Sequence, residues 1–132
     1  MKISIISICS LLLIICCKNI YAQDTLLYKV VSVDSIEMPE LNYIITLENN
    51  SNFYKVVSPK DTTVNENKGK VIHYGDFLFI QLIQTNKIKV QGNSYIYIYD
   101  DGLMYGGRVI LEQGEYPYLS HQIVNNYYLP IK

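Results

Sequence analysis

Alanine is almost absent from this chain, and so are two other common residue types. Among 132 residues Ala22 is the only alanine, Arg108 is the only arginine, and tryptophan does not occur. Alanine is the strongest helix former, whereas the Ile, Val, Tyr and Thr used in its place favour strands. The composition therefore predicts little helix and much strand, although an AT-rich coding sequence would also produce part of this bias, including the tyrosine excess.

Cysteine is missing from most of the chain, because Cys9, Cys16 and Cys17 all lie within the first 17 residues. They belong to an apolar run, residues 3–17, that follows Lys2 and is succeeded by a polar restart after Ala22. A positive start, a short apolar stretch and a small residue before the cut are typical of a secretory signal peptide. We expect residues 1–22 to be this signal and residues 23–132 to be one all-β domain, secreted or periplasmic in a bacterium.

Two other fates of the leader stay open. An apolar run of about 15 residues is short for a membrane-spanning helix, which needs roughly 20, so we expect no transmembrane helix in the mature form. A membrane-anchored lipoprotein acylated at Cys17 is the stronger alternative. The residue before a lipidated cysteine is normally small, however, and here it is Cys16.

Long runs of one charge sign are also lacking. The formal net charge is −1, and removal of Lys2 and Lys18 with the leader changes 11 basic and 12 acidic residues to 9 and 12, a net charge of −3. A basic patch usually accompanies non-specific nucleic-acid binding. We therefore expect no nucleic-acid partner, and a mature domain without cysteine must be stabilised by its hydrophobic core alone.

Alternating, β-branched segments separated by turn residues recur along the mature chain and predict short strands. A slip of the pattern at Val30-Val31 suggests a β-bulge. The segment 77–84 is the most apolar and is predicted to be one central strand, the polar segment 59–69 a long exposed loop, and 119–124 the only plausible helical turn. The predicted strands are 26–36, 42–48, 53–58, 70–74, 77–84, 87–90, 94–99, 103–105 and 108–112.

About eight short strands with frequent turns predict a small single-domain, all-β fold, either an antiparallel OB-like barrel or a β-sandwich. An immunoglobulin-type sandwich is less favoured, since the mature chain has neither the tryptophan nor the disulfide of that fold.

The most informative candidate site is a row of tyrosines in the strand 94–99. Tyr95, Tyr97 and Tyr99 occupy alternate positions and so share one face, while Ile96 and Ile98 face the core. Tyr105 is predicted to join them across the Asp101-Gly102 turn. Such rings stack on sugars or bases, or dock a partner protein, and the alternative is ordinary cross-strand packing on a half-covered sheet.

Other constellations are weak. His73 and His121 are the only histidines and no mature cysteine accompanies them, so we expect no metal site. Ser120 is a neighbour of His121 in sequence only, no serine lies in a nucleophile elbow, and no phosphate-binding loop occurs, so we expect no catalytic residues and no cofactor.

These observations predict a non-enzymatic binding module for a glycan, peptide or partner protein. The alternatives are a structural subunit of an envelope or surface assembly and, less favoured, a small hydrolase.

Overall fold

The computed structural model describes residues 24–38, 40–61, 68–91 and 94–130, and all regular structure in these ranges is strand. These residues contain no helix of the length and hydropathy required to cross a membrane. Thirteen strands run through the described ranges: β1 (Leu26–Met38), β2 (Glu40–Asn49), β3 (Asn52–Pro59), β4 (Lys70–Val71), β5 (Phe77–Ile80), β6 (Ile83–Gln84), β7 (Lys87–Gln91), β8 (Ser94–Tyr97), β9 (Leu103–Tyr105), β10 (Arg108–Leu111), β11 (Tyr118–Leu119), β12 (Ile123–Val124) and β13 (Tyr127–Tyr128).

The first three strands form an antiparallel meander. A two-residue turn joins β2 to β3, and its residues Asn50 and Ser51 have φ values of 51° and 66°. Left-handed backbone at both turn positions matches the twist of the flanking strands. The predicted bulge in β1 is confirmed, because the register with β2 shifts between Val30 and Ser32.

The main sheet curls into a half-barrel. Its strand order is β5-β1-β2-β3-β11-β6, with β11 parallel to β3 and the other neighbours antiparallel. Only Gln81 and Leu82 separate β5 from β6, yet these two strands lie at opposite ends of the order. The prediction of a single central strand over 77–84 is therefore wrong: the segment bends at its middle and passes from β1 to β11.

The concave side of this sheet encloses a first cluster, the inner core. The bulge shifts the alternation of side chains along β1 by one residue. Val30 before the shift and Val33 after it therefore both contact this cluster. The buried members are Tyr28, Val30, Ile45, Leu47, Val56, Ile72, Leu78, Ile80, Leu82 and Ile123.

The chain between β6 and β11 builds a hairpin layer, β7–β8 and β9–β10, which covers the other face of β2 and β3. Apolar residues between the layers form a second cluster, the outer core. Two cations also join the layers: Arg108 pairs with Asp34 on β1, and Lys55 Nζ on β3 lies 3.2 Å from Glu115 Oε2. The buried residues of the outer core are Met38, Ile44, Val57, Ile88, Val90, Ile98, Ile110 and Leu111.

The predicted helical turn over 119–124 is wrong, since this segment holds β11, a turn and β12. Asn125, with φ 55°, then begins a tight turn into β13. Gln122 also bonds to the backbone of the bent segment. Its amide nitrogen donates to Phe79 O at 3.1 Å, and its side-chain oxygen accepts from Gln81 N at 2.9 Å.

The prediction of a small all-β fold is confirmed. The sequence predicts about eight short strands, whereas the described residues form thirteen, arranged as a half-barrel and a hairpin layer. The predicted leader, residues 1–22, lies outside the described residues, as does most of the polar segment 59–69.

Candidate ligand-binding face

The tyrosine row, defined as Tyr95, Tyr97 and Tyr99, lies on the outward side of the hairpin layer. The three side chains are 41%, 58% and 69% exposed. The alternate residues face inward: Ile98 is buried in the outer core and Ile96 packs against it. The predicted division of this strand into a core face and a tyrosine face is therefore confirmed, and the row is mostly uncovered by the rest of the described chain.

Tyr105, the fourth residue of the predicted site, does not join the exposed row. It is half-buried and packs against the outer core together with Leu103, while Met104 between them is exposed. The sequence places Tyr105 near the Asp101-Gly102 turn correctly, but the alternation of β9 turns its side chain inward. The exposed row therefore has three members.

Two lysines share the outward face with the row. Antiparallel pairing sets Lys87 opposite Tyr97 and Lys89 opposite Tyr95, and directly opposite residues of a ladder project from the same face. Lys87 Nζ lies 4.5 Å from the ring centroid of Tyr95, within the range of a cation–π contact. Sequence reasoning missed these lysines, although their i, i+2 spacing in 87–90 was a visible signal.

A groove of about 310 Å³ adjoins this face. It lies between β7 and the segment around β11, and Lys87, Lys89 and Tyr95 line it together with apolar residues. Pockets for small ligands start at roughly this volume and combine apolar walls with few polar groups. The apolar lining comes from Val57, Ile88, Pro117 and Leu119, and Thr85 and Tyr118 complete it.

The far end of the row is fixed by backbone contacts. Tyr99 forms an isolated bridge with Gly102, and Gly114 N donates to Asp100 O at 2.7 Å. The Tyr116 hydroxyl donates to the Asp100 carboxylate, and this hydrogen bond raises the pKa of Tyr116. The loop that follows the row is thus tied to the turn that precedes β11.

A second exposed apolar surface, the phenylalanine patch, lies on the convex side of the main sheet. Leu27 and Phe79 are directly opposite each other on β1 and β5, and Phe77 is the next outward residue of β5. Phe53 follows across the intervening Lys29-Glu48 pair. These four apolar side chains are each more than half exposed.

The residues weighed for other chemistry are dispersed or occupied. His73 and His121 are exposed, and no group of three or more metal-ligating side chains forms in the described part of the chain. Ser120 is buried and its hydroxyl accepts from Gln122 N at 3.3 Å. Glu115 accepts from Lys55 and from Glu112 N, so its carboxylate stabilises the hairpin layer.

No protein-family model, no curated protein and no solved structure matches this chain. The function of the candidate site is therefore inferred from its geometry alone.

Proposed function

We propose that this protein is a non-enzymatic, exported binding module whose ligand, a glycan, lies across the tyrosine row. The observation that carries the proposal is the exposure of three tyrosine rings at alternate positions of one short segment, beside a groove, in a layer whose inward side is packed. Export is supported by the cysteine-free domain that follows a secretory-type leader. An N-terminus other than Gln23, found by mass spectrometry, would contradict cleavage after Ala22.

The geometry favours ring stacking over simple packing. Packing on a half-covered sheet would bury these side chains against cross-strand neighbours, yet Tyr97 and Tyr99 are both more than half exposed. An exposed phenol ring offers a flat apolar surface and a hydroxyl that bonds to polar groups, at a low cost in side-chain entropy. A sugar chain presents the same combination of flat apolar faces and hydroxyl groups.

The experiment replaces Tyr95, Tyr97 and Tyr99 together by serine. Binding is measured first on an oligosaccharide array and then by calorimetry, which gives the affinity. We expect glycan binding to fall by at least about 100-fold, on the assumption that a sugar face stacked on an aromatic ring gains on the order of 1–3 kcal/mol, as a nucleic-acid base does. Circular dichroism and the urea midpoint are expected to change little, since surface substitutions usually alter stability by about 0.5 kcal/mol or less each.

A matched control replaces three exposed rings elsewhere, Phe53, Phe77 and Phe79, by serine. Retained binding in this control would assign the ligand to the tyrosine row. If the tyrosine variant unfolds, or binds as tightly as the wild type, the row is a packing element and the proposal is wrong. Specific capture of a peptide in place of a sugar would overturn the choice of glycan.

The phenylalanine patch favours a second candidate, a structural subunit that assembles through this face. Large exposed apolar patches are uncommon on monomeric soluble proteins and often mark interaction surfaces. Pairing through the edge of β5 is less favoured, because Gln122 and Tyr128 already donate to Phe79 O there. Light scattering after size exclusion distinguishes the two functions: self-association that the phenylalanine variant abolishes supports the structural role.

A further inference from the structure

We infer that the ligand of the tyrosine row is an anionic glycan, a sugar chain that carries carboxylate or sulfate groups, and that Lys87 and Lys89 select it. The inference rests on the proposed function and narrows its ligand class. It begins from the register of β7 and β8, which places both ammonium groups on the same outward face as the rings of Tyr95 and Tyr97.

Lys87 and Lys89 differ from the nearby cations Lys55 and Arg108 in their ion pairing. Lys55 and Arg108 both form ion pairs that join the hairpin layer to the main sheet. No carboxylate in the described part of the chain lies within 4.0 Å of the Lys87 or Lys89 ammonium group. Lys87 instead stands over the ring of Tyr95, where a bound anion would bond to it without breaking an existing ion pair.

The charges along the row are polarised. The lysines flank Tyr95 and Tyr97, whereas Asp100 and Asp101 follow Tyr99 at the other end. Asp100 accepts the hydroxyl hydrogen of Tyr116. An acidic sugar unit therefore fits at the Lys87–Lys89 end, beside the groove, and the ring of Tyr99 suits a neutral part of the same chain.

A glycan suits this site better than a single-stranded nucleic acid, which also has ring faces and negative charge. Nucleic-acid grooves follow a phosphate backbone with many cations, and here two lysines act within a chain of net charge −1. The groove volume of about 310 Å³ is at the small end of ligand pockets, which suits one sugar unit and its acidic group.

The test uses the mature full-length domain and four probes of similar length: an oligouronate, its methyl ester as the uncharged counterpart, a sulfated oligosaccharide and single-stranded DNA. We expect at least one of the two acidic sugars to bind about tenfold or more tightly than the ester, the gain from one charge-assisted hydrogen bond. Added salt is expected to remove this advantage. Which acidic sugar binds better identifies carboxylate or sulfate as the preferred group.

The Lys87→Gln/Lys89→Gln variant is expected to lose the preference, so that the acidic sugar and the ester bind equally well. The control is Lys29→Gln/Lys70→Gln, which removes two exposed charges elsewhere and is expected to retain the preference. Equal binding of the ester and both acidic sugars by the wild type would overturn the anionic ligand and leave the proposed function intact. Tighter binding of DNA would overturn the glycan, and no binding of any sugar would contradict the proposed function itself.

Discussion

Two groups of three tyrosines use the same residue type in opposite ways. In the inner core, the ring of Tyr54 makes edge-to-face contacts with Tyr28 at 5.5 Å and with Tyr118 at 5.2 Å between centroids. These rings come from β1, β3 and β11, which are far apart in sequence. On the hairpin layer, Tyr95, Tyr97 and Tyr99 come from one short segment and are exposed.

The difference shows what each arrangement requires. An edge-to-face cluster forms only after distant strands have been brought together, so it belongs to the stability of the half-barrel. A row on alternate positions of one strand is set by local backbone geometry and needs only an inward face that packs. We therefore expect substitutions in the inner cluster to change stability, and substitutions in the exposed row to change binding.

The largest expected effect is that of Tyr54→Ala. This change removes the ring that contacts both other members of the inner cluster, and truncation of a large aromatic side chain costs about 3 kcal/mol when most of it is buried. The free energy of unfolding, from urea titration followed by circular dichroism, is the measurement.

Tyr97→Ala is the matched control for the same truncation on the exposed row, with an expected change of about 0.5 kcal/mol or less. Equal losses in the two variants would contradict the division into a stabilising cluster and a binding row.

A smaller loss of stability is expected from a substitution at the end of the exposed row. Gly102 has φ +80°, and a Cβ added there would lie 2.4 Å from Leu111 O and 2.7 Å from Glu112 O. Gly102→Ala must displace either the backbone of residues 111–112 or that of Gly102, which bridges Tyr99. We expect a loss of about 2 kcal/mol. Hydrogen exchange is expected to increase in β8–β10 more than in the meander.

Gly114 provides the control, since its φ is +79° and nothing lies within 4 Å of an added Cβ. Gly114→Ala has the same left-handed strain without the overlap, so it isolates the steric part of the effect. If the two variants lose equal stability, the close approach of Gly102 to β10 is not what positions the end of the row.

The sequence predicts the meander well because its signals are local. Alternation in β1 to β3, the Asn-rich turn and the bulge at Val30-Val31 are all properties of neighbouring residues. The inward Ile96 and Ile98 and the outward tyrosines follow from strand alternation in the same way.

What the sequence does not predict depends on long-range contacts. The bend at Gln81-Leu82 exists because the sheet curls, and the apolar pattern of 77–84 suggested burial where Phe77 and Phe79 are exposed. The groove joins β7 to residues 117–119, which no local pattern brings together. The β12–β13 turn could have been predicted, because Asn125-Asn126 between two apolar pairs is a hairpin signal.

The smallest expected effect is an alkaline loss of stability that comes from the inner cluster. Burial, and then repulsion from the Tyr54 and Tyr118 phenolates, raises the pKa of Tyr28 above its usual 10.0, and burial likewise raises the pKa of Tyr118. The folded state thus retains phenol protons that the unfolded chain loses. This contribution to stability is complete below about pH 10 and is lost as the pH rises through the raised pKa values.

Tyr28→Phe removes one of these phenols. Urea midpoints at about pH 8 and about pH 10.5 are therefore expected to differ less in this variant than in the wild type. The control is Ile45→Val, which truncates a buried residue of the same core and leaves every phenol in place. It is expected to lower both midpoints while keeping the wild-type difference between them. An unchanged difference in Tyr28→Phe would show that the inner cluster does not set the alkaline limit of the fold.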